Sequence, residues 1–252
     1  MMASSKPEGV QSVIKAMDLL EALAEAGGEL GLSDLAAEAR MPLPTIHRLA
    51  RTLVNRGFLR QLPNRHYALG PALIPLGDAA TSMLAYWAEP ILAGLVDELG
   101  ETANLAILDG AKATYVAQVP SRHSMRMFTE VGRQVSLHST GVGKALLSQL
   151  DDAAASALLG RTALDPRTEF TITDPQRLIE ELATIRAQGF ARDEGEQELG
   201  VNCIAVPVSG ALMAVSISGP VQRLTDDLRR KAVPALTRAA AALQNQLSDR
   251  SA

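Results

Sequence analysis

The first seventy residues are cut by their glycines and prolines into three short helical stretches and a hairpin, an order that few folds accept. In "VQSVIKAMDLLEALAEAG", Val13, Ala16, Met17, Leu20, Leu23 and Ala24 fall on one stripe at helical spacing, and Gly27-Gly28 ends it. In "GLSDLAAEARM", Ser33 is placed to cap a short second helix with Leu35, Ala36 and Ala39 inward. "PLPTIHRLARTLVNRG" opens on prolines, repeats Ile46, Leu49, Ala50, Leu53 and Val54 on one face, and stops at Gly57. "FLRQLPNRHYALG" then reads as two short strands about a turn at "LPNR".

Charge follows the same division. Acids Asp18, Glu21, Glu25, Glu29, Asp34 and Glu38 occur without a base between them, and arginines Arg40, Arg48, Arg51, Arg56, Arg60 and Arg65 follow without an acid. Helix, helix, helix and hairpin in this order is a winged helix-turn-helix, whose third helix enters the major groove of duplex DNA while the hairpin reaches the flanking backbone. With Ile46, Leu49 and Leu53 inward, Thr45, Arg48, Arg51, Thr52 and Asn55 take the opposite side and His47 its edge. The expected DNA-binding residues are therefore Thr45, His47, Arg48, Arg51 and, at the hairpin turn, Arg65. The acids of the first two helices are expected to point elsewhere. A net charge of −4 over the whole chain does not oppose this reading, because local sign governs phosphate binding.

A chain of 252 residues accommodates two domains. We expect a DNA-binding unit over 8–70, a linker helix over 71–90 interrupted by Pro75 and Pro90, and a second domain over 91–252. The second domain alternates strand-like runs ("TANLAILDG", "KATYVAQVP", "VNCIAVPVSG", "ALMAVSISGP") with helical ones. Hairpins about "DGAK" and "VSGA" predict an α+β fold with an antiparallel sheet. No apolar run approaches the roughly 18 residues of a membrane span, and "MMASSKPEGVQS" carries no signal pattern. The single cysteine, Cys203, excludes an internal disulfide and favours the cytoplasm.

Over essentially its whole length the chain resembles the IclR family of bacterial transcriptional regulators. "VQSVIKAMDLLEAL" and "LPTIHRLARTLVNRGFLR" are similar to its winged helix-turn-helix; "HSTGVGKALLSQL", "GFARDEGEQELGVNCIAVPV" and "VSISGPVQRLTDD" are similar to its effector-binding domain. "QVPSRHSMRM" and "SISGPVQRLTDD" are most similar to the allantoin- and glyoxylate-responsive branch. The resemblance implies a GAF-like effector domain, a homodimer or homotetramer on a palindromic double-stranded operator, and a small-molecule effector such as a 2-oxo acid; repression is the expected mode of control, with activation left open by the sequence. It further implies that Gly141, Val142, Asp193, Cys203, Ser216 and Ser218 hold that effector. Strand alternation in "AVSISG" independently puts Ser216 and Ser218 on one face.

The chemistry of that set is coherent. N–H groups at a glycine-opened helix and two hydroxyls suit a carboxylate, Asp193 suits a donor at the ligand's other end, and Met125, Met127 and Val135 supply apolar walls. "HSTGVGKAL" is no phosphate loop, since His138 stands at the first glycine position and Ala145 where a Ser or Thr would bind metal. No cofactor is expected. Nor is a metal, because His123, His138 and Cys203 lack ligand spacing. The competing reading is a metabolite-binding enzyme with Cys203 as nucleophile, His138 as base, Asp193 as orienter and the winged helix used for protein contact. A thiol inside the apolar run "CIAVPV" speaks against it.

Overall fold

The computed structural model describes residues 9–127 and 130–248, so the signal-free reading of residues 1–8 and the extreme ends of the two expected domains lie outside it. The chain divides into two compact units, 1–80 and 81–252.

In the first unit the elements are α1 (Gln11–Glu25), β1 (Glu29–Leu30), α2 (Leu32–Glu38), α3 (Leu43–Asn55), β2 (Leu59–Gln61) and β3 (Tyr67–Leu69). The strands form an antiparallel sheet in the order β1-β3-β2. Leu19, Leu23, Leu35, Met41, Ile46, Ala50, Leu53, Leu59 and Tyr67 make the core. The face expected of α3 is thus inward. Two expectations are corrected. On α1 the buried stripe runs through Leu19 and Leu23, and Val13 and Met17, expected inside, are about half exposed (53% and 49%). Ser33 lies within α2, whose cap is Gly31. The chain leaves β1 in extended backbone and turns into the helix at once, so the helix begins before Ser33 is reached. The third strand, β1, is two residues long and has no periodicity to reveal it.

Helix α4 (Leu73–Leu99) starts in the first unit and continues into the second, the division falling at Ala80–Thr81 rather than at the expected 70/71 and 90/91. It is unbroken. Pro75 sits in its first turn, where N–H groups have no intrahelical acceptor anyway, and Pro90 lies inside it. By length and composition α4 is apolar enough to cross a bilayer, contrary to the expectation that no such stretch exists. Its C-terminal half is a core helix, with Ala88, Leu92, Leu95, Val96 and Leu99 packed into the second unit, while Ile74, Leu76, Met83 and Tyr86 before it are exposed.

That unit continues with β4 (Thr102–Asp109), β5 (Lys112–Val119), β6 (Gln134–Ser136), α5 (Gly141–Leu147), α6 (Asp152–Leu159), α7 (Pro175–Gln188), β7 (Ala191–Glu194), β8 (Val201–Val208), β9 (Met213–Pro220) and α8 (Asp226–Ser248). Among the described residues one antiparallel sheet runs β6-β5-β4-β9-β8-β7, and both expected hairpins are present as β4–β5 and β8–β9. The sheet is a middle layer. Ile204, Val206, Val215 and Ile217 pack with α4 and α8 on one face. Ala106, Ala113, Ala205 and Ala214, all small, pack with α5, α6 and α7 on the other. Small side chains there let the short α5 lie close: a Cβ on Gly141 would come within 2.9 Å of Cys203 Sγ on β8.

Candidate functional site

In the first unit the outward side of α3 presents His47, Arg48, Arg51, Thr52, Asn55 and Arg56 to solvent, with Thr45 half-buried. Beyond it, the β2–β3 turn is closed by Leu62 N–H donating to the His66 carbonyl (2.8 Å) and Arg65 N–H to the Leu62 carbonyl (2.9 Å). Arg65 has φ +65°, a left-handed value that costs a side-chain-bearing residue about 1–2 kcal/mol. Glu29 lies between the first two helices, outside the expectation made for their acids, and it turns toward this hairpin. Its carboxylate, in β1, accepts from Asn64 Nδ2 at 2.9 Å and lies 3.1 Å from His66 Nδ1. The Asn64 amide, then His66 and Arg60, hold Glu29 below its ordinary pKa.

In the second unit a cavity of about 60 Å³ opens on the sheet face that carries α5. Of the expected effector residues, Met127, Val135, Asp193, Cys203 and Ser218 line it. Met125 does not, and is 73% exposed. Gly141, Val142 and Ser216 stand one layer behind. A Cβ on Gly141 would meet Cys203 Sγ at 2.9 Å, and the Val142 N–H is directed at that sulfur. Of the two helix N–H groups expected to be free for a ligand, Gly141 and Val142, that of Val142 is turned toward the thiol; that of the next residue, Gly143, goes to the cap, Thr140 Oγ1. Ser216 Oγ is fully buried with no partner at hydrogen-bonding geometry; its influence falls on the Cys203 thiol. Ser218 Oγ accepts from Asn104 Nδ2 at 3.2 Å.

The remaining lining residues, Tyr115, Arg133, Thr140, Gln197, Glu198 and Val201, were not anticipated. Tyr115 was in principle visible, because alternation along "KATYVAQV" puts it on the same face as Ala113; a bulge at Val116 then turns Ala117 to the other face. Arg133, Gln197 and Glu198 lie on connections without periodicity.

Asp193 and Cys203 are cross-strand partners between β7 and β8. Burial pushes the Asp193 carboxyl up to about 7, helped by the Glu196 charge and opposed by the Glu196 and Gln197 N–H groups and by Lys144. Those N–H groups donate to its Oδ1 at 2.8 and 3.4 Å. Asp193 is thus balanced between acid and anion near neutrality, where a plain ionised acceptor was expected. Behind it, fully buried Lys144 donates to Glu196 Oε1 at 2.6 Å, with Glu181 at 3.7 Å. Thr168 and Thr171 hydroxyls donate to the Gly195 and Glu196 carbonyls (2.7 and 2.6 Å), and Ser139 to Gln197 Oε1 (2.6 Å). The 195–198 wall of the cavity is therefore tied from three sides.

The groups named for the enzyme arrangement have other surroundings. Burial and the Asp193 charge raise the Cys203 thiol to about 12, so it is no nucleophile at neutral pH. His138 Nε2 meets the Asp165 carbonyl at 3.1 Å, and burial lowers its pKa. Among the described residues no three His, Cys, Asp or Glu side chains come together to hold a metal.

Comparison with known proteins agrees with the two-unit description. The family model for the IclR helix-turn-helix domain matches residues 12–63, and that for the bacterial transcriptional regulator IclR C-terminal matches residues 80–245. The chain is 38% identical over 228 residues to the transcriptional repressor IclR of Escherichia coli K12, covering 86% of this chain and 83% of that protein. It is 31% identical to the transcriptional repressor AllR of the same strain, covering 87% and 84%. The crystal structure of the Thermotoga maritima IclR superposes with a TM-score of 0.64 at 27% identity, covering 94% of this chain and 98% of that one.

Proposed function

The chain belongs to the IclR family of DNA-binding transcriptional regulators, and we propose that it is a repressor whose hold on a palindromic operator is controlled by a two- or three-carbon oxo-acid bound beside Asp193. The observation that carries the effector is the cavity. One water needs about 10–15 Å³ of cavity, so a volume of about 60 Å³ has room for a small organic acid. Polar groups of Thr140, Asp193, Gln197 and Ser218 stand in its lining, and the register puts Asp193, Cys203 and Ser218 in one row across β7, β8 and β9, with the carboxyl and the Ser218 hydroxyl on either side of the thiol. Gly141, Val142 and Ser216 support it through Cys203.

Operator binding is assigned to the α3 face, with Thr45, His47, Arg48 and Arg51 in the groove and Arg65 on a phosphate. Val13 and Met17 on one side of α1, with Val10 just before its start, are exposed and form an apolar stripe that a second copy would cover, and a dimer matches a palindromic site. The lone thiol suits a reducing cytoplasm. Control needs no covalent step. The acid must prefer one arrangement of the paired chains, and about 1.4 kcal/mol of preference changes operator affinity tenfold.

The test is a fluorescence-anisotropy titration of labelled duplex from the gene's own upstream region, without and with glyoxylate or pyruvate, alongside calorimetry of each acid. Duplex affinity that shifts with one of these acids is the expected result. Absence of duplex affinity would remove the regulator reading; affinity insensitive to both acids, with no heat of binding, would remove the effector reading alone.

A further inference from the structure

Glu29 is an acid in a place where phosphate is expected. The register of the small sheet pairs Ala68 of β3 with Glu29 on one side and Arg60 on the other, so the three residues form one row across it. Coulomb's law alone makes a half-exposed carboxylate here, 45% accessible, a liability for binding DNA. Its bonds suggest what offsets that cost. One oxygen, Oε1, accepts from Asn64 Nδ2 and lies 3.1 Å from His66 Nδ1, which must carry its hydrogen on that nitrogen to face a carboxylate. Asn64 Oδ1 in turn accepts from the His66 N–H at 3.0 Å. The two residues so joined are those on either side of Arg65, the left-handed residue of the turn.

We propose that Glu29 is a positioning residue for operator binding: from β1 it clamps Asn64 and His66, and the clamp keeps Arg65 in the one turn conformation from which it meets the DNA backbone. The inference rests on the DNA-binding reading of this unit. It differs in sign from plain electrostatics. Removing a negative charge beside a phosphate-binding hairpin should tighten binding; removing a clamp should loosen it.

The experiment uses the full chain, anisotropy with the upstream duplex and with a scrambled duplex, and a series of salt concentrations. The variants are Glu29→Ala, Glu29→Gln, Asn64→Ala, Arg65→Ala and the pair Glu29→Ala with Arg65→Ala. Loss of one phosphate contact lowers the slope of log affinity against log salt by about one unit. Arg65→Ala, Glu29→Ala and Asn64→Ala should each show that drop, on both duplexes. The Glu29/Arg65 pair should be no worse than Arg65→Ala alone, because Glu29 acts through Arg65. Glu29→Gln, whose amide oxygen accepts the same bonds, should restore the wild-type slope. Tighter or unchanged binding by Glu29→Ala, additivity in the pair, failure of the glutamine rescue, or an Arg65→Ala slope equal to wild type would each overturn the inference while leaving the regulator reading intact. A wild-type chain with no duplex affinity would overturn that reading itself.

Discussion

Asp193 on β7 stands directly across the ladder from Cys203 on β8, and its charge raises the thiol's pKa on top of the effect of burial. The pair forms a wall of the cavity in which one member is fixed as a neutral thiol and the other titrates near 7.

From this follows the pH dependence of effector binding. A bound carboxylate repels ionised Asp193 and tolerates its protonated form, so binding favours the proton. Affinity for glyoxylate should be level well below pH 7 and fall above it, approaching about tenfold per pH unit. Asp193→Asn, permanently neutral, should flatten the profile. Calorimetry at several pH values checks both; affinity that rises with pH contradicts the assignment.

Ser216→Ala should stabilise the free protein. Its hydroxyl is buried without a partner, and such a group costs about 1–3 kcal/mol. The same change should weaken the response to the acid only through Cys203, since Ser216 stands behind the thiol and does not line the cavity. Thermal melts with and without glyoxylate separate the two effects. An unchanged melt of the free variant would show that the hydroxyl is satisfied.

Gly141→Ala should damage the site through one atom. The added Cβ would lie 2.9 Å from Cys203 Sγ, on a side chain too short to move far, and overpacking of this kind costs about 1–3 kcal/mol. Cys203→Ala in the same chain should recover most of the loss. If the double variant melts no higher than Gly141→Ala, the contact is not the cause.

Arg48→Ala and Arg51→Ala should weaken binding to the operator by about 1–3 kcal/mol while changing affinity for a scrambled duplex much less, as loss of a base contact does. Anisotropy with both duplexes is the measurement. Equal losses on the two would make these arginines phosphate contacts, and no loss in either variant would remove α3 from the groove.

The legible parts of this chain were those with a period. Ile46, Ala50 and Leu53 repeat along a helix, and Ser216 and Ser218 alternate against Val215 and Ile217, which do pack on the opposite face of the sheet. Illegible parts were of two kinds. Val13 and Met17 keep helical spacing with Leu20, yet the angle of α1 in its unit makes Leu19 and Leu23 the buried pair. Gln197 and Arg133 come to the cavity on irregular connections, where position is set by tertiary bonds such as Ser139 to Gln197 and not by local pattern. Glu29 belongs with the second kind, since nothing near it in the chain announces Asn64.

Strand β7 is the last strand of its sheet and four residues long, so the residue that titrates in the cavity hangs on a ladder bonded along one side only. Edges of this kind are where native proteins open first, by local fluctuations far cheaper than global unfolding. The amide hydrogens of Ala191–Glu194 should therefore trade with deuterium sooner than those of β4 or β9. An acid seated against Asp193 should then act as a kinetic brake, slowing that exchange along the one free edge beside the cavity.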